Sequence, residues 1–137
     1  MRVAGETVGA IGDGLLALVS VGADDEVSDA RAMSEKLSGL RIFPDDAGLM
    51  NRSLLEIRGA ILLVSQFTLH GDVRRGRRPS FIAAAKEPLA RDLYALTGAL
   101  LEQAGVTVAY GEFGATMDVE LVNRGPVTIL IDTKRAF

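Results

Sequence analysis

Residues 59–69 read GAILLVSQFTL, and this stretch decides how the rest of the chain can fold. A continuous apolar run follows Gly59 and ends abruptly at Ser65, which predicts a strand buried on both faces. Ser65, Gln66 and Thr68 lie at or just beyond the buried end of that strand. A buried polar group without a partner costs about 1–3 kcal/mol. These side chains therefore either end the strand and bond internally, or they are offered to a ligand.

The composition limits the chemistry that the chain can perform. Its 137 residues fit a single domain, residues 1–137, with a core of its own. The absence of cysteine excludes disulfides, thiolate catalysis and cysteine-based zinc sites, and one histidine is too few for an ordinary imidazole metal site. No uncharged stretch reaches the roughly 18 apolar residues of a membrane span, and no export signal follows Met1. We therefore expect a cytoplasmic protein without membrane contact.

Periodicity along the chain predicts the fold class. Residues 15–21 form a second apolar run, and apolar positions at spacings of three and four predict a helix capped by Asp24 or Asp25. A second helix is predicted from Pro88 to Gly105. Further strands are predicted at residues 106–110, 117–121 and 127–131. This order indicates an α+β fold with a largely antiparallel, barrel-like β core on which two helices pack.

Acid–base groups are scarce near the polar end of the central strand. His70 is about 16 Å from Ser65 along an extended strand, and about 7 Å from Thr68. We expect His70 at an exposed loop edge, and Asp118 and Glu120 facing solvent on one side of a strand. Any catalysis at this site would therefore depend on backbone amides and carbonyls, or on groups of the substrate.

Two other segments could bind a ligand. Gly125-Pro126 makes a tight turn that presents carbonyls in fixed directions, with either a cis bond or an ordinary trans bond. A cluster of four arginines within five positions either contacts phosphates or forms a solvated turn. These arginines are Arg74, Arg75, Arg77 and Arg78.

Several motifs together resemble the D-aminoacyl-tRNA deacylase family. They are Ser65-Gln66-Phe67-Thr68-Leu69, Gly76-Arg77-Arg78-Pro79-Ser80-Phe81, Asn123-x-Gly125-Pro126-x-Thr128, and Leu40-Arg41-Ile42-Phe43 with Met50-Asn51. The resemblance runs from Val8 to Asp132, which is nearly the whole chain.

This resemblance implies a homodimer that acts in translation quality control, with active sites at the subunit interface and without metal or organic cofactor. Its substrate would be aminoacyl-tRNA, in which an ester joins a D-amino acid, or glycine mischarged on tRNA-Ala, to the 3′-terminal adenosine. Gly125-Pro126, held cis, would enter from the other subunit, bind the substrate α-ammonium and collide with an L side chain. The floor of the site would be formed by Ser65, Gln66, Phe67 and Thr68.

The resemblance leaves two residue roles open. Thr68 is either a nucleophile or a positioning residue, and in the second case backbone amides near Phe67 and Thr68 polarise the ester while the ribose 2′-hydroxyl assists water. The lack of a base favours the second role. Met117 matches a position lining the terminal-adenine pocket, although its alternation also suits core packing. The arginine cluster would contact tRNA phosphates.

The chain departs from the family pattern at its start. Family members usually open with an additional strand that contains an arginine, ahead of the segment resembling residues 2–6. Either the sequence starts inside this pattern, or the family's usual first strand is missing before residue 1, which would leave a sheet edge exposed. The alternative function is that of a non-catalytic RNA-binding dimer of the same fold.

Overall fold

Three parallel strands form the main sheet of the protein. The computed structural model describes all residues, 1–137. The strands are β1 (Arg2–Val3), β2 (Glu6–Thr7), β3 (Gly14–Val19), β4 (Phe43–Pro44), β5 (Met50–Arg52), β6 (Ala60–Ser65) and β7 (Thr107–Tyr110). The helices are α1 (Val27–Gly39) and α2 (Leu89–Gln103), with a 3-10 helix at Phe67–His70. The main sheet has the order β3-β6-β7, so the predicted central strand is central.

Strand β6 is buried on both faces, as predicted. Ile61 and Leu63 are 0% exposed and join the larger core cluster, to which both helices contribute. Leu62 and Val64 belong to a second, smaller cluster that includes Met1. Because successive side chains of a strand point to opposite faces, these two clusters lie on the two sides of the sheet. The sheet therefore has apolar packing on both sides of its middle strand.

The two helices connect the parallel strands. Helix α1 lies between β3 and β6 in sequence, α2 lies between β6 and β7, and the helices pack against each other. Helix α1 begins at a capping box formed by Glu26 and Asp29, so the predicted cap at Asp24 or Asp25 is wrong by one or two residues. Gly105 follows α2 with a φ of +97°, which agrees with its predicted role in ending the helix.

The direction of the main sheet differs from the prediction. The α+β class with two helices is confirmed, but the main sheet is parallel and no closed barrel forms. Antiparallel pairing joins only the short strands β1 and β2, and β4 and β5. The physical reason is that a helix follows each of the first two long strands. A helical crossover returns the chain to the same end of the sheet, so the next strand runs parallel.

The predicted strands at residues 117–121 and 127–131 do not form ladders. In these two segments only one bridge is present, between Arg2 and Asp118, whose backbone groups exchange two hydrogen bonds of 2.8 and 2.9 Å. The predicted alternation is seen only in part: Met117 and Val119 are half-buried while Asp118 and Glu120 are exposed, but Leu121, the next apolar residue of the pattern, is 55% exposed. An extended segment becomes a strand only when a neighbour completes its hydrogen bonds.

A large apolar surface remains uncovered in the single chain. The accessible surface is 9304 Å², whereas a compact monomer of 14.5 kDa would expose about 6,900 Å². Val122 is 94% exposed and Leu130 is 73% exposed. An exposed apolar area of this kind is typical of a surface that binds another protein. Neither helix has the length and apolar character that crossing a lipid bilayer requires.

Truncating a buried side chain of β6 should weaken the fold strongly. We expect Leu63→Ala to lower the free energy of unfolding by about 2–5 kcal/mol, because it removes buried methyl groups and leaves a cavity. Leu49→Ala, at a side chain that is 62% exposed, is the matched control and should change it by less than about 0.5 kcal/mol. Urea unfolding measures both values, and equal losses would contradict this description of the core.

Candidate active site

The candidate site lies at the carboxyl end of the central strand. Ser65 is the last residue of β6, Gln66 follows it, and the 3-10 helix begins at Phe67. The N–H of Gln66 donates to the carbonyl of Val19 at 2.8 Å, which holds this end of β6 beside the end of β3. Ligands of parallel sheets commonly bind outside the carboxyl ends of the strands. The polar segment therefore lies where the fold favours a binding site.

Two backbone N–H groups in this segment have no acceptor within the chain. The turn is closed by Leu69 N–H donating to Gln66 O at 3.2 Å and by Gly71 N–H donating to Thr68 O at 3.0 Å. The N–H groups of Phe67 and Thr68 make no such bond, as expected for the first residues of a helical turn. Both residues are exposed. This pair of amides can bind a negatively charged oxygen.

The hydroxyl of Thr68 has only one hydrogen-bond partner, the side-chain amide of Gln66. Neither atom of a carboxamide is basic enough to remove a proton from an alcohol. The imidazole of His70 is bonded elsewhere, at Ser20. The side chains around Thr68 therefore position its hydroxyl without activating it.

His70 departs from its predicted position at an exposed loop edge. It is half-buried, and its Nδ1 lies 2.5 Å from Ser20 Oγ. The same hydroxyl lies 3.3 Å from the carbonyl oxygen of Phe67. Ser20 was not identified from the sequence. The parallel register, which pairs Val19 with Ser65, would have placed Ser20 beside the polar segment.

An aromatic pair forms one flank of the site. The rings of Phe67 and Phe81 meet edge to face, with centroids 5.2 Å apart. Phe67 is still 55% exposed, so much of its ring is free to contact a ligand. A Cβ on Gly71 would lie 3.0 Å from the Phe81 ring and 2.9 Å from the Thr68 carbonyl oxygen. Glycine at this position therefore allows the Phe81 ring to pack close to the turn.

The Gly125-Pro126 turn is exposed and its peptide bond is cis. Asn123 Nδ2 donates to Thr128 Oγ1 at 3.3 Å across the turn, and Gly125 N–H donates to Asn123 O at 2.9 Å. A Cβ built on Gly125 would meet no atom within 4 Å. No hydrogen bond joins this turn to residues 65–68 of the same chain. The turn therefore projects from the surface, with open space around it.

The arginine cluster lies in a loop that a two-residue bridge closes. Asp72 and Ser80 exchange two backbone hydrogen bonds of 2.8 and 2.9 Å. Arg74 pairs with Asp72 through Nε at 2.9 Å and a terminal nitrogen at 2.7 Å, and these bonds lower the pKa of the Asp72 carboxyl to about 2. The three arginines without an ion pair, all exposed, are Arg75, Arg77 and Arg78. The loop thus presents three free positive charges, where the sequence suggested four.

Met117 is half-buried against the smaller core cluster, which contains Met1, Leu62 and Val64. This packing agrees with the core alternative that its alternating position also allowed. Its predicted place in an adenine pocket stays a prediction. The chain contains no group of three or more metal-ligating side chains.

Comparison with known proteins identifies relatives along nearly the whole chain. A family model described as D-Tyr-tRNA(Tyr) deacylase matches residues 1–132. A D-aminoacyl-tRNA deacylase of Halalkalibacterium halodurans is 52% identical over 134 residues, which are 98% of this chain and 92% of that protein. The enzyme of the same name from Thermus aquaticus is 53% identical over 97% of this chain and 88% of its own length.

Solved structures with a similar fold carry two different descriptions. One, a c-Myc DNA unwinding element binding protein, has a TM-score of 0.89 and 33% identity, and covers 96% of this chain and 90% of its own. The other, a probable eukaryotic D-amino acid tRNA deacylase, has a TM-score of 0.67 and 21% identity over 77% of each chain. The second likeness concerns the fold alone.

The pairing of Asp72 with Arg74 predicts an unusual titration. Because the folded-state pKa of Asp72 is lowered, the ion pair should be complete above the ordinary aspartate value and be lost as the pH falls through about 2. Carboxyl ¹³C NMR should find Asp72 still mostly ionised at about pH 3, and Arg74→Ala, which removes the side-chain bonds but keeps the backbone N–H bond, should raise its pKa toward the ordinary aspartate value. Arg75→Ala is the control and should leave the titration unchanged. An ordinary titration of Asp72 in the wild type would contradict the observed pairing.

Proposed function

Since the chain belongs to the D-Tyr-tRNA(Tyr) deacylase family, we propose that it is a D-aminoacyl-tRNA deacylase, an ester hydrolase. Its substrate is a tRNA whose 3′-terminal adenosine carries a D-amino acid, and its products are the free D-amino acid and the tRNA. This activity removes misacylated tRNA in the cytoplasm before translation uses it. The observation that carries the proposal is the pair of unbonded amides at Phe67 and Thr68.

In the proposed reaction these two amides bind the carbonyl oxygen of the ester. The oxygen of a water molecule bonds to the carbonyl carbon. The carbonyl oxygen then becomes negatively charged, and the two amides stabilise this charge. The bond from that carbon to the ribose O3′ then breaks, and O3′ receives a proton that came from the water. The 2′-hydroxyl of the terminal ribose assists this proton transfer. One donor to such an oxyanion is worth about 100- to 1000-fold in rate.

Selection between D- and L-substrates uses a second copy of the chain. Gly125 and Pro126 of that copy enter the site, and their carbonyls accept hydrogen bonds from the α-ammonium of the substrate. An L side chain would point into this backbone and be rejected by collision, which discriminates more strongly than a small gain in contact. Glycine has no side chain to collide, so glycyl-tRNA mischarged on tRNA-Ala is also a substrate. The open space around the exposed Gly125 turn supports this arrangement.

The homodimer has its active sites at the subunit interface. The apolar surface at Val122 and Leu130, and the excess of accessible area in the single chain, support an interface on this side of the molecule. The free arginines Arg75, Arg77 and Arg78 contact the phosphates of the tRNA, since exposed guanidinium groups bind phosphate oxygens. Met117 lines the wall that faces the terminal adenine.

A substitution at Gly125 separates function from stability. Gly125→Ala should lower D-tyrosyl-tRNA hydrolysis by about 10-fold or more, because the added methyl group enters the neighbouring copy's pocket. It should leave the free energy of unfolding of the single chain unchanged, since a Cβ there meets nothing within 4 Å. Gly12→Ala is the matched control, because a Cβ on Gly12 also meets nothing. Full hydrolysis by Gly125→Ala would argue against a role for the turn.

A substitution at Thr68 separates the two catalytic roles. If the backbone amides stabilise the oxyanion and Thr68 is not a nucleophile, the single-turnover rate constant of Thr68→Ala should stay within about 10-fold of the wild type, because the N–H remains. Removal of a nucleophile should instead cost at least about 10,000-fold. Quench assays with enzyme in excess over D-tyrosyl-tRNA measure the rate. A protein that binds the tRNA with no turnover under these conditions would be the non-catalytic RNA-binding dimer.

A further inference from the structure

Ser20 connects the end of strand β3 to two residues of the 3-10 helix. It directly follows Val19, the last residue of that strand. Its Oγ lies 3.3 Å from the carbonyl oxygen of Phe67 and 2.5 Å from Nδ1 of His70. These contacts span 47 and 50 residues of sequence, so they join segments that are far apart along the chain.

The pattern of contacts assigns the protons. A hydroxyl carries one proton, whereas Ser20 Oγ has two partners within hydrogen-bond distance. Both bonds exist together only if Nδ1 of His70 donates to Ser20 Oγ and Ser20 Oγ donates to the carbonyl oxygen of Phe67. The two hydrogen bonds therefore run in one direction: His70 donates to Ser20, and Ser20 donates to the carbonyl of Phe67. A tautomer with the proton on Nε2 alone would satisfy only one of the two contacts.

The carbonyl that accepts from Ser20 belongs to the same peptide unit as the N–H of Thr68. A peptide unit is planar and trans, so its C=O and the following N–H point in opposite directions. A hydrogen bond that fixes the Phe67 carbonyl therefore also fixes the direction of the Thr68 N–H. The carbonyl points toward β3, and the N–H points away from it. Accepting a hydrogen bond at the carbonyl also polarises the peptide and strengthens the N–H as a donor.

We propose that Ser20 and His70 are positioning residues that aim the Thr68 amide at the ester oxygen. The inference rests on the proposed function only in that this amide binds the reacting oxygen. Ser20 and His70 do not touch the substrate. They act through the Phe67–Thr68 peptide. Without them, the N–H of Thr68 would no longer be held in the direction of the oxyanion.

Gly22 provides the space that the histidine needs. A Cβ on Gly22 would lie 3.2 Å from Nε2 of His70, which is closer than most side-chain contacts allow. The same point is 3.3 Å from Asp24 Oδ1 and 3.4 Å from Asp25 Oδ1, so a side chain at this position would also crowd two carboxyl groups. The imidazole is thus bonded to Ser20 at Nδ1, and the lack of a side chain at Gly22 leaves room for it at Nε2.

The kinetic test compares hydroxyl and methyl at position 20. Ser20→Ala should lower the single-turnover rate constant for D-tyrosyl-tRNA by about 10-fold, a fraction of the effect of removing a whole oxyanion donor, with the tRNA dissociation constant unchanged. Ser20→Thr retains the hydroxyl and should recover most of the rate. His70→Ala should also lower the rate constant. The double variant should be no slower than Ser20→Ala alone, because both residues act through the same hydrogen bond to the Phe67 carbonyl.

The matched control is Ser38→Ala in helix α1. The hydroxyl of Ser38 donates to the carbonyl of Glu35 at 3.2 Å, so this variant also loses one side-chain bond to a carbonyl, away from the site. It should leave the rate unchanged. The proposal is overturned if Ser20→Ala hydrolyses the substrate as fast as the wild type, or if Ser20→Thr is as slow as Ser20→Ala.

A second measurement does not depend on activity. The ¹³C shift of the Phe67 carbonyl and the ¹⁵N shift of the Thr68 amide report the hydrogen bond directly. Both should move in Ser20→Ala and stay near the wild-type values in Ser20→Thr and Ser38→Ala. If the wild type shows no hydrolysis while these shifts move, the proposed function fails and the positioning contact stands. Unmoved shifts in Ser20→Ala would overturn the inference whatever the activity.

Discussion

The burial of strand β6 on both faces is the constraint on which the rest of the structure depends. Ile61 and Leu63 pack on the side of the helices, and Leu62 and Val64 pack on the other side. Neither side can accept a polar group without a partner, so the first polar residues must come where the strand leaves the core. The chain turns there into a 3-10 helix, and that turn exposes two amides. The candidate site is a direct consequence of where the apolar run ends.

The proposed chemistry of this site relies on backbone groups because its side chains offer no acid or base. The chain has no cysteine, and its single histidine is bonded to Ser20. Thr68 has only a carboxamide beside its hydroxyl. A backbone donor needs no particular side chain, but it must be held in one direction to be useful. In our proposal that direction comes from the hydrogen bond of Ser20, the residue directly after β3, to the Phe67 carbonyl, which links the packing of the sheet to the chemistry.

The sequence predicted the elements better than their arrangement. Strand β6, both helices and strand β7 follow from apolar runs and periodicity, which depend on nearby residues. The parallel direction of the main sheet depends on how its strands are connected. The predicted helices between those strands already favoured parallel pairing, because a helical connection returns the chain to the same end of the sheet. The segment from 117 to 131 has the composition of strands, but a ladder needs a neighbour that local sequence cannot reveal. The pairing of Asp72 with Arg74 was equally hidden, since counting charges does not tell which are neutralised.

The central claim is that one chain supplies the floor of the site and a second chain supplies the turn. Mixing two inactive variants tests it most directly: Thr68→Pro, which lacks the amide proton, and Gly125→Phe, which fills the space at the turn. After joint refolding, half of the dimers are mixed, and each has one site with an intact floor and an intact turn. Interface active sites predict a recovery of about one quarter of the wild-type hydrolysis of D-tyrosyl-tRNA. A mixture as inactive as either variant alone would contradict a site shared between two copies.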